Sequence, residues 1–313
     1  AFPGLDGANP DDLLRNADLA LYEAKAAGKN TFCFFESEMA QRLRDRHRLE
    51  YDLRCAVERN ELVLNYQPIV DSRSRQTLGF EALVRWEHPL HGRVQPDHFI
   101  PLAEQTGAIC GIGAWVLREA CRNAVAWGDR LTVAVNVSVD QFRHGTIMAD
   151  VEDALASSGL AAHRLELEIT ESLFIDDPET VVAVLHQLRA LGVRIALDDF
   201  GTGYSSLSYL RKFPFDKLKI DRSFVNAIKD DRIAHGILET ILALGRVLDL
   251  SVTAEGVEDA EQIDILTRMT CNQFQGYYFS RPMEAADLGA YLLRDFCATA
   301  EASQASCAAL ATA

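Results

Sequence analysis

From Glu61 onward the chain alternates short apolar runs with longer helical stretches, and at least five runs carry an oxygen-bearing residue inside an otherwise buried pattern. They are GFEALVRW (Glu81), TVAVNVS (Asn136), LELEITES (Glu168), RIALDDFG (Asp198 and Asp199) and VTAEGVE (Glu255). Each reads as a strand rich in Val, Ile and Leu. Carboxylates gathered in one place lose hydration and repel one another unless a cation compensates them. Oxygen-only sets of Asp, Glu and Asn suit Mg²⁺, Mn²⁺ or Ca²⁺ rather than zinc. If these strands converge, the chain builds a divalent-metal site.

The spacing predicts strands at 62–70, 77–87, 131–138, 165–171, 194–200, 217–221, 251–257 and 273–279. Helices are expected at 98–128, 139–158, 178–191, 203–212, 222–249, 259–270 and 284–296. Eight strands separated by helices define an α/β fold, a TIM-like (β/α)₈ barrel. The connection DSRSRQ is too short for a helical crossover, so the first strand pair should be antiparallel and the barrel irregular there. Active sites of such barrels lie at the C-terminal strand ends. Glu81 falls early in its run, whereas the other acidic and amide positions lie within or at the end of theirs.

Ahead of the barrel, residues 10–28 read as a helix with Leu13, Leu14, Ala17, Leu21 and Ala24 on one stripe and Gly28 as its stop. Thr31 to Phe35 is a possible strand, and the charged stretch from Glu36 to Arg59 is expected to be a helix leading into the barrel. The opening AFPGLDGANPDD suggests a piece of something longer. The tail after about 298 is Ala/Ser-rich without an apolar stripe, and 298–313 is expected to be disordered.

Of the 313 residues 48% are hydrophobic and 25% charged, as in a globular protein, and 46 acidic against 31 basic residues give a net charge of −15. That balance argues against bulk nucleic acid as a partner, because its backbone must be neutralised by Lys and Arg. A small phosphorylated ligand held by metal ions remains compatible. The seven cysteines show no CxxC and no metal-finger spacing, which fits a reducing cytoplasm. No apolar run approaches the roughly 20 residues of a membrane helix.

The motifs NYQPIV (65–70), FEALVRW (80–86), FIPLAE (99–104), NVS (136–138), ELEITES (166–172), DDFGTGYSSL (198–207), KIDRSF (219–224), AEGVE (254–258) and QGYYFSRP (275–282) follow one another in order. In this the chain resembles the EAL-domain phosphodiesterases, which cleave cyclic di-GMP, over about residues 40–297. Residues 1–36, with ADLALYEAKAAGKN, resemble the C-terminal remnant of a GGDEF domain. The resemblance thus implies a 37–297 EAL barrel from a GGDEF–EAL tandem.

By resemblance, Glu81, Asn136, Glu168 and Asp198 hold one Mg²⁺ or Mn²⁺ ion, and Asp198, Asp199 and Glu255 serve a second. Lys219 matches a lysine that contacts the attacking water, so Lys219, Glu255 and Glu81 are the catalytic candidates; Glu255 could be ligand, general base or both. On spacing alone, Arg85, four residues beyond Glu81 on the same strand face, is as well explained by an ion pair as by a phosphate clamp. The resemblance favours the clamp, whose forked guanidinium suits phosphate oxygens. It also places Gln67 in the substrate site and Gln275 near the metals, with Asp221 as a further substrate-site residue and Glu258 in support. Gly201 and Gly203 let the chain turn after the strand, with Thr202 or Ser205 to cap the next helix, and Glu171 matches a residue that steadies this loop.

The implied activity is metal-dependent hydrolysis of cyclic di-GMP to linear pGpG, with a homodimer and upstream sensor domains as partners by resemblance. The rival is a catalytically silent cyclic di-GMP receptor, which would be expected to lack ligands such as Glu81 or one of the paired aspartates; this chain keeps them. A barrel enzyme with other metal chemistry, such as enolisation, is permitted by one lysine among acidic residues but not supported by the motif order.

Overall fold

Alternate residues of the apolar runs face opposite sides of one sheet. The computed structural model describes residues 9–26, 30–175, 177–201, 213 and 215–294. Its strands are β1 (Leu62–Asp71), β2 (Thr77–His88), β3 (Gly92–Val94), β4 (Thr132–Asn136), β5 (Leu165–Thr170), β6 (Arg194–Phe200), β7 (Lys217–Ile220), β8 (Ser251–Ala254), β9 (Gln273–Gln275) and β10 (Met283–Glu284). The sheet runs β10-β1-β9-β8-β7-β6-β5-β4-β2-β3, and a β1–β2 pairing closes it into an eight-stranded barrel. β1 is antiparallel to β2 and β9, while the other barrel neighbours are parallel. The irregular first pair is therefore present as expected. Its tight connection is held by Asp71, whose Oδ1 accepts from the backbone N–H groups of Arg73 and Ser74. β3 and β10 are short antiparallel additions to β2 and β1 that the apolar pattern is too brief to announce.

The outward faces carry the large apolar side chains. Leu165, Leu167, Ile169, Ile195, Leu197, Leu218 and Ile220 are buried in one core cluster with helix residues such as Ile112, Leu117, Leu185 and Leu238. The inward positions differ: Glu168 of β5, Ala196 of β6 and Lys217 of β7 follow one another across the register. Ala134 and Ala196 are buried and small, leaving room for the long charged side chains that share the interior. Lys219 is among the largest fully buried side chains of the molecule.

Several helices are shorter than the periodicity suggests. The 98–128 helix is two, Pro96–Thr106 and Ala108–Val125, bent by 120°, because Gly107 adopts a left-handed φ of 74° that caps the first. The 139–158 stretch divides into Val139–Arg143 and Ile147–Ser158. The 222–249 stretch divides into Arg222–Ala227 and Arg232–Val247, the second starting where Asp231 accepts from the Ile233 N–H. Thr31–Phe35 is not a strand; among the described residues it pairs with no edge, and the exposed rings of Phe32 and Phe34 pack on each other. The expected helix 203–212 and tail 298–313 lie outside the described residues. Among the described residues no single helix is long and apolar enough to cross a membrane.

The β2–β4 pairing brings the backbones close at Gly79 of β2, where an added Cβ would lie 2.3 Å from Thr132 Oγ1 and 2.4 Å from the Thr132 carbonyl oxygen. Backbone cannot swing aside as a side chain does. Gly79→Ala is expected to lower the unfolding free energy by about 1–3 kcal/mol in denaturant titration. A loss below about 0.5 kcal/mol, the range of neutral surface changes, would show that β2 and β4 part without strain.

Candidate active site

Four strands deliver carboxylates to one amine. The Lys219 ammonium, from β7, lies 2.6 Å from Glu255 Oε1, 2.7 Å from Glu168 Oε2, 3.3 Å from Asp198 Oδ1 and 3.7 Å from Glu81 Oε2. Glu81 belongs to β2, Glu168 to β5 and Asp198 to β6, and Glu255 follows β8 directly. Period-two alternation aims each inward, and closure of the sheet makes inward mean toward the others.

Around Glu81 the geometry is set by amides. Asn136 Nδ2 donates to its Oε1 at 2.7 Å and Gln275 Nε2 to its Oε2 at 2.6 Å. Gln275 Nε2 also reaches Gln67 Oε1 at 3.2 Å, and Gln67 Nε2 donates to the Ser280 carbonyl at 3.2 Å. Gln67 and Gln275 are thus joined in one network with Glu81, and the donor end of Asn136 is used on Glu81, so its carbonyl oxygen is the end available to a cation.

One ammonium cannot balance three buried carboxylates and a fourth, Glu255, that is largely withdrawn from solvent. Burial, then the Glu81 carboxylate, raises Glu168 well above the usual carboxylate range. Burial, only partly offset by Lys219 and reinforced by Asp198, pushes Glu255 up to about 8. Burial also opposes the charged form of Glu81, but Lys219 together with the Gln275 and Asn136 amides holds it below its ordinary value. Lys219 would be lowered by burial, yet Asp198, Glu168 and the other carboxylates raise it well above the usual lysine value. Charge left over must be cancelled by protons or by added cations.

The donor set meets the chemistry of a hard cation. Glu81, Asn136, Glu168, Asp198, Asp199 and Glu255 offer only oxygens once Asn136 is counted by its carbonyl. Glu168 Oε1 is buried without a hydrogen-bond partner, an arrangement that costs free energy unless a proton or cation meets it. The carboxylates here are turned onto the Lys219 ammonium, and among the described residues no group of three His, Cys, Asp or Glu side chains is disposed about one ion position. A cation would therefore share oxygens that Lys219 now engages.

Asp199 holds a left-handed φ of 51°, an uncommon state for a residue with a side chain. Its backbone N–H donates to Asp198 Oδ1 at 2.9 Å, and burial followed by the Asp198 charge raises its own carboxyl. Two residues on, Gly201 N–H donates to Glu171 Oε1 at 3.1 Å, which ties Glu171 to the start of the Gly-rich segment; residues 202–212, including Thr202, Gly203 and Ser205, lie outside the described residues. Asp221 sits within electrostatic reach of Asp199 but spends its Oδ1 as the N-cap of Arg222–Ala227, accepting from Ser223 N–H at 3.0 Å. Glu258 is exposed, and its backbone N–H donates to Gln262 Oε1; the structure does not bring it to the Lys219 cluster.

Beside the cluster opens a cleft of about 530 Å³ lined by Arg85, Asn136 and Asp199 together with Asp97, Ile100 and Glu104. That volume is in the range of small-molecule sites, roughly 300–1,000 Å³. The half-buried Arg85 donates to the Val84 carbonyl. The last three wall residues are not among the site residues read from the sequence, although Ile100 and Glu104 lie in the motif FIPLAE.

The family model for the EAL domain matches residues 50–282, and the chain belongs to that family. It is 47% identical over 291 residues to the bifunctional diguanylate cyclase/cyclic di-GMP phosphodiesterase MucR of Pseudomonas aeruginosa, covering 92% of this chain and 42% of that protein. It is 42% identical over 291 residues to the cyclic di-GMP phosphodiesterase NbdA of the same bacterium, covering 92% and 37% respectively. The chain thus spans about two fifths of these curated relatives. A solved structure described as the PaMucR phosphodiesterase in complex with c-di-GMP superposes with a TM-score of 0.74 at 47% identity, covering 77% of this chain and 99% of that one.

The carboxyl shifts set a sign for stability against pH. Glu255 is raised from 4.5 to about 8, so its contribution is fully present below pH 4.5 and is lost as pH rises through about 8. Glu168, also raised, acts in the same direction. In chelator the thermal midpoint is expected to fall across this window, and Glu255→Gln to flatten the fall. A wild-type midpoint that is level or rising there would contradict the assignment.

Proposed function

We propose that the chain is a divalent-metal-dependent phosphodiesterase that opens cyclic di-GMP at one phosphodiester to give linear pGpG. The observation that carries this reading is the meeting of Glu81, Glu168, Asp198 and Glu255 around Lys219 beside a cleft that contains Arg85. Membership of the EAL family and the phosphodiesterase names of the relatives support it. Glu81, Asn136, Glu168, Asp198, Asp199 and Glu255 would hold two Mg²⁺ or Mn²⁺ ions. When bound, such ions offset phosphate charge and favour ionisation of water.

The chain's own residues do the rest. The Arg85 guanidinium grips the phosphate that is cut, and Gln67, on the neighbouring strand β1, steadies the ligand. Lys219 Nζ donates to the attacking water and aligns it with the ribose 3′ oxygen that leaves. The water O–P bond forms as the P–O3′ bond breaks, one water proton passes to a Glu255 carboxylate oxygen, and the 3′ oxygen takes a proton from solvent. Asp221 stands beside Asp199 at the substrate edge. Glu171 holds Gly201 and hence the backbone that presents Asp198 and Asp199.

The same proposal extends to context. Residues 1–36 are the end of a GGDEF domain, 37–297 the EAL barrel, and the parent protein works in the cytoplasm as a homodimer with upstream sensory parts.

Incubation with cyclic di-GMP followed by nucleotide chromatography is expected to show pGpG in Mg²⁺ or Mn²⁺ and unchanged substrate in chelator. Tight binding without conversion in either metal would instead make the chain a receptor. Arg85→Ala is expected to raise KM by about tenfold or more with a smaller change in kcat, as loss of a charge-assisted phosphate contact does. An unchanged KM would remove Arg85 from the substrate site.

A further inference from the structure

Within the barrel a second ion pair lies next to the Lys219 cluster and has no part in the chemistry above. Lys217 Nζ donates to Glu166 Oε1 at 2.6 Å, and the two residues are 6% and 2% exposed. Glu166 precedes Glu168 by two residues on β5, and Lys217 precedes Lys219 by two on β7, so each couple shares one face of its strand. Between them runs β6, whose residue at this level is Ala196, fully buried and too small to separate the charges. Two glutamates on one strand therefore confront two lysines on the other across an alanine.

Such a square has two possible pairings. The register aligns Glu168 with Ala196 and Ala196 with Lys217, so the straight path across β6 from Glu168 leads to Lys217. The observed contacts are staggered instead, Glu166 with Lys217 and Glu168 with Lys219 at 2.7 Å. A buried pair of opposite charges is weak evidence for stability, because apolar replacements are often as stable. Its place beside the Lys219 cluster calls for another account.

We propose that Glu166 and Lys217 are positioning residues: by neutralising each other they keep Lys217 from capturing Glu168 and keep Glu166 from capturing Lys219. Glu168 is thereby left to the cation site and Lys219 to the water. The proposal rests on the metal reading given above, and it predicts opposite consequences for the two partners. Removing the carboxylate strands the Lys217 ammonium, which takes Glu168 and weakens metal binding. Removing the ammonium strands the Glu166 carboxylate, which draws Lys219 away and lowers kcat more than metal affinity. Removing or exchanging both leaves nothing stranded.

The test is titration of the full chain with Mn²⁺ alone, followed by electron paramagnetic resonance of the free ion, beside steady-state kinetics. Glu166→Gln is expected to raise the Mn²⁺ Kd by about 10- to 100-fold, the range for residues that hold metal ligands in place. Lys217→Met is expected to change that Kd less than threefold and to lower kcat by about tenfold or more, by the same kind of effect. The double variant E166Q/K217M and the exchanged pair E166K/K217E are expected to return both quantities toward wild type. If Glu166→Gln does not fold, Glu166→Asp, which withdraws the charge by one methylene, should raise the Kd in lesser degree. A folded Glu166 variant with wild-type Mn²⁺ affinity, or a double variant as impaired as either single, would overturn the proposal. Wild-type chain that binds no Mn²⁺ at all would overturn the metal reading itself, a distinct result.

Discussion

The structure turns on one fully buried ammonium, Lys219, held by carboxylates from four different strands. No local stretch of chain could make that arrangement. It requires a sheet closed on itself, inward positions that alternate correctly on every strand, and small residues where long side chains must cross. The same arrangement leaves more negative charge than Lys219 balances, which is why Glu168 and Glu255 are driven toward their neutral forms. A site with surplus buried negative charge, oxygen donors only and a cleft at its side is suited to cations and a phosphorylated ligand.

This interior is unusual for a barrel that is otherwise ordinary. Layers of branched apolar side chains commonly fill such a space, whereas here Glu166, Glu168, Lys217 and Lys219 share it with Ala134 and Ala196. Cohesion comes from the other face of the sheet, where Leu, Ile and Val pack beneath the helices. The division lets the outer shell stabilise the fold while the inner face carries charges that contribute little to stability on their own. The Gln275–Gln67 and Asn136–Glu81 hydrogen bonds, and the left-handed turn at Asp199, then fix orientation rather than hold the barrel together.

Much of this was legible in the chain because these strands pack apolar residues beneath the helices on one face and carry charged ones on the other. LELEIT and KLKI show the alternation directly: every second residue is apolar, with polar or charged ones between. The apolar alternation therefore located the eight strands, and the acidic runs among them the carboxylates that meet at Lys219. What stayed hidden depended on backbone conformation or distance. Gly107, with its φ of 74°, looks like any glycine within a helical pattern until its turn is seen. Asp221 reads as a site residue, yet its carboxylate also caps a helix. Glu258 shares a motif with Glu255 but follows a turn that takes it to the surface. The pairing of Glu166 with Lys217 needed the stagger between strands, which no single strand contains.

The central claim concerns where cations go. Crystals of the chain grown or soaked with Mn²⁺ and measured by anomalous diffraction would locate the ions directly. The account predicts anomalous density among Glu81, Asn136, Glu168, Asp198, Asp199 and Glu255, with the Lys219 ammonium shifted from the oxygens it now holds. Those carboxylates still gathered on Lys219, with no anomalous peak between them at saturating Mn²⁺, would contradict it.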